Sequence, residues 1–277
     1  MTNTPQDLLK AGDLNGTLAS LQDAVRAKPE DAKLRIFLFQ LLCVMGDWKR
    51  AITQLKLCAQ LDASALPMAQ TYREAIICEV FREKVFAGEK DPLIFGQPQD
   101  WVALLAEALK AQASGNADHA AQLRQQAFDQ APMTGGVLDG QSFDWIADAD
   151  MRLGPILEIV VNGKYFWMPF NTLSTLHLDP PEDLRDTVWT AATLTLANGG
   201  ELVGLIPTRY AGTADRGTDA MKLSRATEWE DLGGDVFAGL GQRLLTTNEA
   251  DIPLMDARIF QFTATDALVD VGETADG

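Results

Sequence analysis

Histidine is almost missing from this 277-residue chain, with two copies, and cysteine is scarce, with three. His119 and His177 stand far apart, neither at a metal-ligand spacing, so both are expected to be structural. Cys43, Cys58 and Cys78 are odd in number, form no CxxC and fall on helical patterns in the first third of the chain. That pattern predicts buried, reduced thiols rather than a disulfide framework. Long hydrophobic runs are missing too. No stretch approaches the roughly 18 to 20 apolar residues that span a bilayer, which excludes a spanning helix. The opening residues, MTNTPQDLLKAGDLNG, lack a basic region followed by an apolar one, so a cytoplasmic location is expected.

Positive charge is the next deficit. Residues 1–135 hold 14 Lys and Arg against 16 Asp and Glu, whereas residues 136–277 hold 9 against 23. A second half this acidic excludes nucleic acid and anionic membrane as partners, since both need basic surface. The shift in composition places a domain boundary near 130–140.

Catalytic and cofactor signatures are also lacking. Asp144, Asp148 and Asp150 form a DxxxDxD cluster without the glycine and terminal glutamate of a calcium loop. It is read as a helix start with a solvated face, with an unusual cation site or an ion-pair set with Arg152 as the alternatives. The glycine-rich stretch GGDVFAGLGQR (233–243) has no phosphate-loop lysine and follows acidic residues, so it is read as a flexible or tight-turn segment. Arg152, Arg185 and Arg209 are basic islands expected to form internal ion pairs. No catalytic residue, cofactor or metal is expected.

What is present is a repeat. Gly12, Leu18, Leu21, Ala24 and Pro29 are matched by Gly46, Ile52, Leu55, Cys58 and Ala63, and by Gly115, Ala121, Arg124, Ala127 and Pro132, at identical offsets of 0, 6, 9, 12 and 17. A glycine that ends one helix, small or apolar residues at helical steps, and a closing proline describe a helix–turn–helix unit. The first two glycines lie 34 residues apart, the period of the tetratricopeptide repeat. Helices are predicted near 5–11, 17–27, 31–45, 48–61, 67–87, 99–113 and 117–130, with 87–100 a loop that breaks the register. Such units stack around a concave groove. The alignment points Lys33, Ile36, Gln40, Cys43 and Val44 at that groove from the second unit, and Val102, Leu105, Leu109, Gln112 and Ala113 from the third. The alternative for the apolar members is plain core.

After Pro132 the texture changes. MTGGVLDGQS (133–142) reads as a linker and FDWIADADMR (143–152) as a short helix. Two β-rich pairs follow, 156–161 with 164–170 around Asn162-Gly163, and 187–197 with 201–206 around Asn198-Gly199-Gly200. Asn-Gly is a strong hairpin signal because both central residues need positive φ. Residues 172–178 and 257–264 read as further strands, and 227–232 is ambiguous. Trp145, Trp167, Trp189 and Trp229 are expected to fill the core. The resulting fold class is two-domain α+β: a TPR-like helical repeat domain over 1–132, a β-rich antiparallel α+β domain over 133–270, and a disordered tail over 271–277.

The second half carries a run of ordered phrases: RQQAFDQAP (124–132), LDGQSFDWIADADMRLGPILE (138–158), NGKYFWMPF (162–170), PPEDLRDTVWTAA (180–192), NGGELVGLIPTRYAG (198–212), RATEWE (225–230), GLGQR (239–243) and PLMDARIF (253–260). Together they resemble the ImpE/SciE/TagJ family of type VI secretion accessory proteins. NTLSTLHL (171–178) departs from it, since a more basic stretch is expected there. The resemblance implies a cytoplasmic accessory protein without catalytic activity. It implies as partner the small subunit of the contractile sheath and, through that subunit, the ClpV-type AAA+ ATPase that recycles contracted sheath. The repeat adds a mode of binding, an amphipathic helix held in a groove. Two readings compete with it: an adaptor of another system, and an enzyme of unknown type using the acidic domain.

Overall fold

The computed structural model describes residues 4–263; the tail expected over 271–277 lies outside them. Seven helices lead: α1 (Pro5–Ala11), α2 (Leu14–Ala27), α3 (Ala32–Val44), α4 (Trp48–Leu61), α5 (Leu66–Phe86), α6 (Asp100–Ala113) and α7 (Ala117–Gln130). The repeated glycine does what its spacing implied. Gly12, Gly46 and Gly115 adopt φ of 82°, 75° and 81°. The next residue then caps the following helix: Asp13, Asp47 and Asn116 each accept a backbone N–H from the first turn.

The loop between α5 and α6 contains β1 (Leu93–Ile94). The strands that follow are β2 (Gly136–Leu138), β3 (Gln141–Phe143), β4 (Ile146–Asp148), β5 (Ile156–Val161), β6 (Lys164–Pro169), β7 (Leu173–Leu178), β8 (Trp189–Leu196), β9 (Glu201–Pro207), β10 (Thr227–Asp231), β11 (Phe237–Gly241), β12 (Leu244–Thr247), β13 (Asp251–Pro253) and β14 (Ile259–Phe262). They build a nine-stranded sheet in the order β1-β6-β5-β9-β8-β7-β14-β2-β3, a ribbon β10-β11, and a small sheet β13-β12-β4. The β5–β6 and β8–β9 hairpins form as expected. Asn162 and Gly163 both take positive φ at the first turn.

Three expectations are corrected. The linker at 133–142 instead supplies β2 and β3, which pair with each other, and β2 pairs also with β14. The helix at 143–152 is instead β4 followed by a turn; Ile146 and Asp148 are both buried, at the period of two that marks a strand. The glycine-rich stretch contains β11, which needs glycine because the Tyr210 ring lies where a side chain on Gly239 would stand.

The helical array and the sheets do not keep separate cores. β1 belongs to the array's loop yet pairs parallel with β6. One apolar cluster joins Leu38, Leu42 and Val44 of α3 to Val188, Trp189 and Leu223. Another joins Val102, Leu105 and Leu109 of α6 to Ile156, Tyr165 and Trp167. The third, around Phe170, Leu176 and Phe260, takes its fully buried residues from the second half, with Phe95 packed against it.

Candidate functional site

Most positions predicted to line the groove are buried. Gln40, Cys43 and Val44 of α3 are buried, and so are Val102, Leu105 and Leu109 of α6. Ile36 is half-buried, and Lys33 and Ala113 are exposed. Gln112 is half-buried and donates to the Leu232 carbonyl at 3.0 Å, in the turn after β10. The physical reason is close approach. A side chain on Gly46 would meet the Ala214 methyl at 2.7 Å, so the α3–α4 turn packs directly on the sheet domain. The five buried apolar positions belong to the core, the alternative their periodicity left open, and Gln40 is buried beside them.

Between the array and the sheet lies a buried ionic junction. Arg82, Arg124, Arg152, Arg209 and Arg243 are all below a tenth exposed, as are Glu79, Asp148, Asp150 and Glu158. Glu158, in the middle of β5, is held by two guanidiniums. Arg82 Nε and Nη2 each donate to it at 2.7 Å, and Arg243 Nη2 donates to the same carboxylate. Tyr165 also donates to Glu158, and Trp167 donates to the Tyr165 hydroxyl at 2.8 Å. Burial alone disfavours the Glu158 charge, but Arg82 and Arg243 outweigh it and hold the carboxyl down at about 2. Arg243 also donates to Asp148, yet burial pushes Asp148 up to about 7. Asp150 takes Arg152 at 2.5 Å and the Gly239 amide at 3.1 Å. Among the described residues Arg209 meets no carboxylate; it donates to the carbonyls of Cys43, Val44 and Lys222. Arg124, on the buried face of α7, makes no hydrogen bond from any guanidinium nitrogen among the described residues. The aspartate cluster is thus not a solvated face, since only Asp144 is exposed.

Two of the three arginine islands pair as expected, Arg152 with Asp150 and Arg185 with Asp183 at 2.8 Å. Sequence reasoning missed Glu158, Arg82 and Arg243. One signal was available: a single glutamate inside ILEIVV, where a charged group on a fully apolar strand must find a partner. All three cysteines are buried and free. Both histidines are exposed. Trp167 and Trp189 fill the core, while Trp145 is half-buried and Trp229 is exposed.

The space beside this junction is small. A cavity of about 20 Å³ touches Glu79, Arg82 and Arg209. A larger opening of about 310 Å³, lined in part by Asp148 of the junction, lies between the end of α7 and β4. Phe128, Pro132, Met133, Trp145, Ile146 and Met151 are among its walls, and no Lys or Arg lines it. Met133 is 70% exposed at its mouth. It is a largely apolar cleft suited to side chains of a partner, with Asp148 also among its walls. Among the described residues no helix is long and apolar enough to cross a membrane.

The same architecture occurs in known proteins. The model of the ImpE protein family matches residues 140–261, and a tetratricopeptide repeat model matches residues 8–70. The crystal structure of protein VPA1032 from Vibrio parahaemolyticus superposes with a TM-score of 0.86 at 28% identity, over 95% of this chain and 99% of that one. The type VI secretion system accessory component TagJ of Pseudomonas aeruginosa is 52% identical over 262 residues, 95% of this chain and 92% of that protein. With a repeat pair ahead of an ImpE domain, and identity this high along nearly its whole length, the chain belongs to the ImpE/TagJ family.

Proposed function

We propose that this protein is a cytoplasmic, non-enzymatic accessory component of a bacterial type VI secretion system. It binds an amphipathic helix of the small sheath subunit and thereby links that subunit to the ClpV-type ATPase that recycles contracted sheath. The observation that carries this reading is the 52% identity to an accessory component over 95% of the chain. Two features of the molecule support it. The buried carboxylates Asp148, Asp150 and Glu158 are engaged by arginines in a packed interior. The opening between α7 and β4 is largely apolar, as groove binding of a helix requires. The strongly acidic second half disfavours nucleic acid and membrane and favours a basic protein segment.

Isothermal titration of the full chain with the small sheath subunit encoded beside it tests the reading. Saturable one-site binding is expected, with an on-rate that falls as salt rises. Absence of binding by titration and by co-purification overturns it.

A further inference from the structure

We infer that the cleft between the end of α7 and β4 is the surface that receives the partner, and that its occupant is an amphipathic helix carrying Lys or Arg beside its apolar anchors. The inference rests on the accessory reading above and assigns it a place on the molecule.

Three observations carry it. First, the predicted groove positions Cys43, Val44, Val102, Leu105 and Leu109 are buried, in apolar clusters shared with the sheet domain. A helix-binding surface has to lie elsewhere. Second, the cleft offers what an apolar anchor needs. Phe128 and Trp145 supply rigid walls, while Met133 and Met151 supply side chains that re-pack around an incoming group. A 70% exposed methionine at the mouth of an apolar opening gains by being covered. Third, the surroundings are negative. Asp144 and Glu249 share the Asn248 side-chain amide, at 3.3 and 2.8 Å. Asp251 stands opposite Thr246, which lines the cleft, and exposed Asp129 follows Phe128. With no Lys or Arg in the lining, charge complementarity selects a cationic segment.

A helix fits better than an added strand. β4 is the outer strand of its sheet, but it is only three residues long. The Asp148 amide on its outer side is already spent on the Gly154 carbonyl at 2.6 Å. Strand addition needs a run of free backbone groups, and this edge does not offer one.

The test titrates the full chain and three variants with the small sheath subunit at two salt concentrations. Met133→Glu places a charge on an exposed position, so the fold is kept, and unchanged melting checks this. It is expected to weaken binding at least tenfold. Asp144→Lys is expected to weaken it two- to fivefold and to flatten the salt dependence. Val203→Glu, at a 71% exposed position on a strand outside this cleft, is expected to bind like the parent. If the parent binds and Met133→Glu binds within twofold of it, the cleft is not the docking surface, while the accessory reading stands. Loss of binding in Val203→Glu alone overturns the location in the same way. If the parent itself does not bind, the accessory reading fails and the inference falls with it.

Discussion

Arg209 closes the C-terminal end of a helix that lies 165 positions away: its Nη1 sits 2.7 Å from the Val44 carbonyl oxygen of α3. The same nitrogen reaches the Lys222 carbonyl at 2.7 Å, and Nη2 reaches the Cys43 carbonyl at 3.3 Å. The last carbonyls of a helix have no partner within the helix. Here the sheet domain provides one, and the array is bonded to it through its backbone. Burial lowers the Arg209 pKa to about 10, so the guanidinium still carries its charge near neutral pH.

Replacing Arg209 by Met should therefore cost about 2–4 kcal/mol, since buried carbonyls lose a charged donor. Urea unfolding measures the loss. Hydrogen exchange should speed up at the end of α3 more than in α7. A variant within 0.5 kcal/mol of the parent, on the scale expected of a neutral surface change, would remove Arg209 from this role.

Glu158 should be the least tolerant acid. Glu158→Gln leaves Arg82 and Arg243 without their shared carboxylate, and breaking a buried pair in this way costs about 3–5 kcal/mol. Its titration fixes a pH window. The folded value near 2 lies below the ordinary 4.5, so its contribution is complete above pH 4.5 and is lost as pH falls toward 2. Asp148 runs the opposite way. Its folded value near 7 lies above the ordinary 3.8, so the folded state binds the extra proton and stability declines as pH rises from 3.8 to 7. Urea midpoints across pH 2–8 should show both slopes, and Asp148→Asn should abolish the second.

Arg124 is the exception among the buried charges. With no hydrogen-bond partner and burial pulling its pKa down, it costs stability where it stands. Arg124→Met keeps most of the volume and removes the charge. The expected result is a neutral change or a gain of about 1–2 kcal/mol, read as a higher melting temperature. A clear loss would mean that the charge is compensated.

Because two of the three apolar clusters draw on both halves, residues 1–132 and 133–263 made separately should each show weak cooperativity and exposed apolar surface. The intact chain should melt in one calorimetric transition. Two well-separated transitions would show that the array folds on its own.

The helical half was legible because its signals are local. Glycine followed by a capping Asp or Asn marks each turn, and helix boundaries fall within a few residues of the predicted ones. The two long hairpins were legible for the same reason, through Asn162-Gly163 and Asn198-Gly199. The short strands β2, β3 and β4 were not. Three residues are too few to display a period, and their pairing with β14 and β12 is set by segments about a hundred positions away. The groove failed differently. Periodicity finds an apolar helical face but not what covers it, and for Cys43, Val44, Val102 and Leu109 the cover is the same polypeptide. The cleft at Met133 was hidden because it is assembled from α7, β4 and the turn after it.

Leu93 and Ile94 occupy the rim of the nine-stranded sheet, running parallel to Phe166 and Trp167 of β6. They come from the very loop that interrupts the repeat register. Two residues thus act as a seal over backbone groups that would otherwise recruit strands of neighbouring molecules. Shortening the α5–α6 connection would unmask β6, and the damage would surface as self-association in concentrated solution. An array borrowed from another protein would bring no such seal, so transplanting repeats into this fold requires carrying that connection along.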